Sequence, residues 1–271
     1  MEYKIPRVIP DPGMIPNVER DAREAFEALK AGGVIIAPMD SGYALLSCSA
    51  EGIERAFQAK QRKPGHTLGV VATYATHEQL HVLPAEKFEM TRVITQDMHS
   101  LLGVVAPYRK DHPRIAALSP ATLARATKGD TLGIGIAEGP FLRELCRLND
   151  EDGQLMIGSS ANLTGRGQKY RVQDIEAEVY QSADLVVDYG LQRYHRYKRA
   201  GTIFDIDNMR VIRMGANYEV FRARMAQWWG VELPEDPENR RLAMEVMSGP
   251  EPMTQRTERR EQSLWFAFCL I

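Results

Sequence analysis

Four short segments of the chain have the residue types and setting that ligand chemistry requires. In Met156-Ile157-Gly158-Ser159-Ser160-Ala161-Asn162-Leu163-Thr164-Gly165 an apolar run ends in small hydroxyl and amide residues. Strand ends of open α/β sheets are where ligands bind; small residues let a backbone approach a phosphate, and Ser and Asn donate hydrogen bonds to it. A polar turn with a helix cap uses the same residues. Pro38-Met39-Asp40-Ser41-Gly42-Tyr43-Ala44-Leu45 follows the apolar run Val34-Ile35-Ile36-Ala37 in the same way, and an ordinary strand-to-helix turn also accounts for it. Lys60-Gln61-Arg62-Lys63-Pro64 closes a stripe of Ile53, Ala56 and Phe57. A lysine and an arginine two apart at such an exit clamp a carboxylate or phosphate, the arginine through paired donors. A solvated helix C-terminus also favours cations, through its dipole. Arg213-Met214-Gly215-Ala216 ends a late apolar run on a cation and a glycine, which a plain exit into a turn explains equally well.

These segments need elements to hold them. Residues 1–16 carry Pro6, Pro10, Pro12 and Pro16 and are expected to be an extended lead-in. Asn17 has the position of an N-cap, with Ala22, Ala25, Phe26 and Leu29 at helical spacing and Gly32-Gly33 as the stop. Strands are expected at Val34–Ala37, Leu68–Val71, Gly103–Ala106, Leu132–Ile136, Leu155–Gly158, Leu185–Val187, Thr202–Ile206 and Val211–Arg213. Helices are expected over 53–57, 85–100, 140–148 and 172–180. Alternating helices and buried strands make an α/β fold with helices covering a sheet, mixed rather than purely parallel because the last strands follow each other closely. From residue 229 onward prolines, acids and arginines mix with little periodicity, so 229–271 is expected to be a tail or docking arm. Its apolar end, Leu264 to Ile271, is expected to bury itself against the core or a second copy, giving a homodimer. The domain that carries the chemistry is then 17–228.

The balance of the chain narrows the class. Hydrophobic residues make up 44% of 271, charged residues 26%, and the net charge is −2, so an ordinary globular core is expected and no global basic field. Three cysteines, Cys48, Cys146 and Cys269, lack any C-x-x-C pair, which argues against a disulfide framework or a zinc ribbon. No metal-ligating cluster stands out. No apolar run reaches the length of a membrane span and Met1 to Pro6 has no signal-like core, so a cytoplasmic protein without a membrane partner is expected. Arg193-Tyr194-His195-Arg196-Tyr197-Lys198-Arg199 interleaves cations with aromatics, a pattern that grips nucleotide or RNA by charge and stacking and equally suits a solvated basic loop.

Taken in order, the four segments resemble the YrdC-like family from Gly32 to Ala216. The family's P-T-D-T-x-Y-G-L stands here as Pro38 to Leu45, its K-x-R as Lys60-Gln61-Arg62, and its S-A-N-x-S-G as Ser160-Ala161-Asn162-Leu163-Thr164-Gly165. Its S-T-V-V-D corresponds to Gly201-Thr202-Ile203-Phe204-Asp205 and its R-P-G-A to Arg213-Met214-Gly215-Ala216. The resemblance implies a twisted mixed sheet with flanking helices and a concave cationic cavity. It also implies that ATP, bicarbonate and threonine, with magnesium, give threonylcarbamoyl-AMP and pyrophosphate for tRNA modification. By that likeness Lys60 and Arg62 hold phosphate and carbamate, Ser160, Asn162, Thr202 and Arg213 hold the nucleotide, and Ser41 with Tyr43 line the amino-acid side. Met39, Gly135 and Gly201 depart from the family's threonine, arginine and serine, so a different small amino acid or a slow reaction is expected. Two other functions fit the same residues: a double-stranded-RNA- or nucleotide-binding module without catalysis, and a carbamoyl-adenylate enzyme with another acceptor.

Overall fold

The run Val34-Ile35-Ile36-Ala37 is apolar at every position because both of its faces are covered. Ile35 and Ala37 pack in one cluster with Ala22, Phe26, Leu142 and Leu145, while Val34 and Ile36 pack in another with Ala56, Val172 and Val179. Side chains alternate across a strand, so a two-sided burial leaves no polar position. This arrangement is seen in a computed structural model whose described residues are 5–62 and 65–237. By its contacts the chain divides into Met1–Leu233 and Pro234–Ile271, and nearly all described residues belong to the first unit.

The strands in chain order are β1 (Arg7–Val8), β2 (Val34–Met39), β3 (Gly42–Ser47), β4 (Gly69–Ala72), β5 (Leu102–Pro107), β6 (Thr127–Lys128), β7 (Thr131–Ile136), β8 (Met156–Ser160), β9 (Leu185–Val187), β10 (Thr202–Asp205) and β11 (Arg210–Arg213). They form one mixed sheet in the order β1-β9-β2-β3-β8-β4-β7-β5-β10-β11, with β6 paired to β7. The helices are α1 (Val18–Lys30), α2 (Ala50–Ala59), α3 (Tyr74–Leu80), α4 (Ala85–Arg92), α5 (Pro113–Ala116), α6 (Pro120–Ala126), α7 (Gly139–Glu151), α8 (Ala177–Tyr180) and α9 (Tyr218–Trp229). Asn17 caps α1, its side chain accepting from the Arg20 N–H at 3.1 Å. α1 and α7 cover one side of β2, and α9 packs Tyr218, Phe221 and Met225 against Val104 and Phe204.

Three local expectations change. Asp40-Ser41 does not lead into a helix: it closes a hairpin between β2 and β3, in which Met39 pairs with Gly42. Gly42 has φ of 135°, a backbone conformation that residues with a β-carbon rarely adopt. Residues 172–180 are not one helix; a 3₁₀ turn at Val172–Asp174 and the short α8 are separated by extended Ile175 and Glu176. The 85–100 stretch is α-helical to Arg92 and then forms a π turn over Val93–Asp97. The apolar end at 264–271 lies outside the described residues. Among them, no helix is long and apolar enough to cross a membrane.

β8 carries the small-residue segment and lies very close to β3. Gly158 pairs with Leu46, and a β-carbon at 158 would stand 2.1 Å from the Leu45 carbonyl oxygen. Backbone cannot swing aside as a side-chain tip can. Gly158→Ala is therefore expected to cost about 3 kcal/mol or more and to lower the melting temperature by roughly 6–12 °C. A thermal melt that matches the parent would refute this reading of the β3–β8 contact.

Candidate functional site

The end of α2 and the segment after β8 hold each other through a single residue. Lys60 is 2% exposed, and its ammonium donates to the Ser160 and Asn162 carbonyls. Its own carbonyl accepts from the Thr164 N–H at 3.1 Å and the Thr164 hydroxyl at 2.8 Å. The K-x-R and S-A-N-x-T-G segments are thus one unit in space. Burial pushes the Lys60 ammonium down to about 7, helped by repulsion from Arg62 and opposed by Glu176. The two carbonyl acceptors favour the charged form, so part of that fall is offset. Ser160 is half-buried beside it. Asn162 donates from Nδ2 to the Leu163 carbonyl at 2.6 Å, and its buried Oδ1 has no partner among the described residues. A buried acceptor without a donor is costly unless a ligand supplies one.

The cations converge. Arg62 donates to the Thr67 carbonyl, and its pKa is lowered by burial and then by repulsion from Arg213. Arg213 donates from Nε and Nη2 to the Gly201 carbonyl at 2.9 and 2.7 Å, and burial lowers its pKa while Glu138 raises it. By surface area Arg213 is exposed, yet the protein around it displaces enough water to disfavour its charge. The guanidinium is thus crowded by protein while part of its surface still meets solvent. Thr202 is buried, its hydroxyl accepting from the Gly215 N–H at 3.2 Å. This ties β10 to the turn after Arg213. Lys60, Arg62, Ser160, Asn162, Thr202 and Arg213 are therefore linked through bonds or direct electrostatic influence, although their strands are far apart in the sheet order.

Ser41 joins this group through a residue that sequence reasoning passed over. Glu138, just beyond β7, accepts from the Ser41 N–H at 2.8 Å and the Ser41 hydroxyl at 3.1 Å. Burial pushes this carboxyl up to about 7; nearby Asp40 adds to the rise, and Ser41 and Arg213 oppose it. A carboxyl lifted this far by burial, with a cation in reach, is the kind of group that marks a functional site. Its only signal in the sequence was an acid two residues past a buried strand, in the region where the family arginine is missing.

Tyr43 does not join the others. It is completely buried, its single hydroxyl proton shared between the Gly190 carbonyl at 2.8 Å and Asp188 Oδ1 at 3.1 Å, while the oxygen accepts from the Tyr189 N–H at 3.1 Å. The expectation that it lines the amino-acid side is corrected: with its hydroxyl so occupied, Tyr43 braces the wall behind Ser41. The basic segment 193–199 forms a 3₁₀ turn at His195–Tyr197 and lies beside the β2–β3 hairpin. The Tyr194 N–H donates to the Asp40 carbonyl at 3.0 Å, and Arg193 reaches the Asp40 carboxylate at 3.5 Å. Among the described residues no cluster of three metal-ligating side chains occurs.

Comparisons with known proteins agree with this layout. The family model Sua5_yciO_yrdC, described as telomere recombination, matches residues 27–215. The fold is similar to smu.1377c, a hypothetical protein from Streptococcus mutans UA159, at TM-score 0.68 and 20% identity over 85% of this chain and 98% of that one. It is also similar to P. abyssi Sua5 complexed with L-threonine, at TM-score 0.62 and 19% identity, covering 85% of this chain and 62% of that one. E. coli YciO superposes at TM-score 0.57 and 21% identity over 78% of this chain and 95% of that one. This chain thus spans less than two thirds of the Sua5 chain and nearly all of the two shorter ones. No curated protein matches it. The mixed sheet, the order of the motifs and the family model together establish that the chain belongs to the Sua5/YciO/YrdC family.

Proposed function

We propose that the chain is an ATP-dependent, adenylate-forming enzyme of the threonylcarbamoyl-AMP synthase type, acting in tRNA modification within a domain spanning 17–228. The observation that carries this reading is the grouping of Lys60, Arg62 and Arg213, each with its proton affinity lowered by burial and two of them by a neighbouring cation. Like charges held together are unfavourable until an anion arrives, and a polyphosphate is the anion that suits several cations at once. Beyond the donors given to the Gly201 and Thr67 carbonyls, Arg213 and Arg62 keep further N–H groups that would reach phosphate oxygens. The orphaned Oδ1 of Asn162 would take a donor from the nucleotide, and Ser160 and Thr202 would complete that wall.

In the proposed reaction a carbamate oxygen attacks the α-phosphorus of ATP, the phosphorus–oxygen bond to the β-phosphate breaks, and pyrophosphate leaves. The chain needs no covalent nucleophile for this. Arg62, Arg213 and the ammonium of Lys60 neutralise charge that grows on the phosphate oxygens, and their fixed positions hold the reactants together. Magnesium would arrive bound to the phosphates of ATP, as part of the substrate. The amino acid is the open part of the assignment, since Met39, Gly135 and Gly201 offer no polar side-chain atoms where the family has them. A paired hydrogen bond that is missing weakens selection among small polar substrates.

Arg213→Ala removes one charge-assisted contact and is expected to raise the dissociation constant for ATP about ten- to hundredfold, measured by calorimetry. Absence of ATP binding to the parent protein would end the nucleotide assignment. A second reading, a nucleotide- or RNA-binding module without catalysis, draws on the basic, aromatic turn beside Asp40. It predicts tight RNA binding without pyrophosphate release from ATP, magnesium, bicarbonate and any amino acid.

A further inference from the structure

Glu138 is a carboxylate set among the cations of the site without being used up by any of them. Its two oxygens each accept one hydrogen bond, both from Ser41, which leaves a free lone pair on each. Among the described residues no cation comes within 4 Å of it; Arg213 attracts it from further away. The neighbouring carboxylate differs, because Asp40 has Arg193 against it. Beside Glu138 there is space for one methyl-sized group. A β-carbon built on Gly201 would meet Oε1 and the Leu101 β-carbon at ordinary contact distance, 3.7 Å from each, and Gly201 is the residue whose carbonyl holds the Arg213 guanidinium. One side of Gly201 thus faces an acid and the other a cation.

Resting on the reading above, we propose that Glu138 receives the amino group of the acceptor substrate, so that the site selects ligands with an amine at one end and an anion at the other. The ammonium donates to the free lone pairs of Oε1 and Oε2 while the anionic end lies toward Arg62 and Arg213. Ser41 has the positioning role: its N–H and hydroxyl fix the carboxylate plane, and the hairpin that presents Ser41 is held by the β2–β3 pairing. The absent side chain at Gly201 then becomes the space the amine occupies.

The experiment uses L-threonine, L-serine and glycine as probes. Each is paired with its counterpart lacking the amine: 3-hydroxybutyrate, 3-hydroxypropionate and acetate. Binding to the full chain is measured by calorimetry with and without ATP, for the parent and for Glu138→Gln, which keeps the volume and a hydrogen-bonding oxygen for Ser41. The parent is expected to prefer at least one amine-bearing probe by about tenfold or more, and Glu138→Gln is expected to lose that preference while keeping its affinity for ATP. A preference that survives in the variant overturns the proposal. So does a variant that keeps the preference but needs more magnesium, which would make Glu138 a metal ligand. If the variant does not fold, the pH dependence of the parent decides. The groups facing Glu138 are Ser41 and Asp40 from the hairpin and Arg213 from β11, and burial holds the Glu138 carboxyl at about 7. The amine preference should then fade as pH falls below about 7, and a preference unchanged down to pH 5 overturns the proposal. Failure of ATP to bind the parent would sink the adenylate reading alone, since the titrations without ATP still read the amine preference.

Discussion

Replacing Lys60 with alanine is expected to remove pyrophosphate release and to destabilise the protein together. The two effects have separate origins. The lost ammonium leaves the carbonyls of Ser160 and Asn162 without their donor, and the lost methylenes leave a gap in a site that is almost completely closed. An unsatisfied buried acceptor costs about 1–3 kcal/mol, so roughly 3–6 kcal/mol in total is expected once the gap is included. Lys60→Met fills the gap without the charge. It is expected to recover part of the stability and none of the activity, as read by a thermal melt beside a pyrophosphate assay. Activity retained by the methionine variant would show that Lys60 is a fastener alone and that Arg62 and Arg213 suffice for the chemistry.

The second large effect is a stability difference that grows with pH. Glu138 has its pKa raised from 4.5 to about 7. Below 4.5 both folded and unfolded states hold the proton; between 4.5 and 7 only the folded state does. Its contribution is therefore fully present at low pH and lost as pH rises through 7. A shift of this size corresponds to about 3 kcal/mol. Other groups mask it in the parent. Burial lowers His77 to about 3 and His81 to about 4, which adds stability as pH rises toward 6.5, and Lys60, lowered to about 7, adds more above neutrality. Comparing the parent with Glu138→Gln cancels those terms. The melting temperatures should lie close together near pH 4.5, and the variant should lead by roughly 6–12 °C at pH 8. A gap that does not change with pH would mean that Glu138 is not held in the charge-disfavouring surroundings described.

The parts of this molecule that could be read from its sequence are those where one residue type answers one physical demand. Val34 to Ala37 had to be a strand covered on both sides. Gly158 had to lack a side chain because the Leu45 carbonyl lies against it. What could not be read depends on contacts between distant segments. Glu138 looks like an acid at the start of a helix until Ser41 is placed against it, and nothing local announces that meeting. Tyr43 carries a family motif and a polar group, but Asp188 and Gly190 take its hydroxyl, so the side chain belongs to the interior. Residues 42–47 were hidden because Gly42 and Ser41 suggest a turn of any kind; only pairing with β2 and β8 makes them a strand.

The strand order also sets a timetable for the newly made chain. Leu102 of β5 pairs with Thr202 of β10, in parallel, and Arg7 of β1 pairs with Val186 of β9. Both pairings close long loops, a topology that folds slowly because chain entropy is lost before contacts return it. One edge of β5 therefore waits, unpaired and apolar, while about a hundred more residues are synthesised, roughly 5–20 s at ordinary rates of translation. During that interval Val104 and Ala106, both buried in the finished sheet, lie next to an open row of N–H and C=O groups. The wall that carries Arg213 is added after that, so the nascent protein passes its most aggregation-prone stage before any ligand could help to hold it.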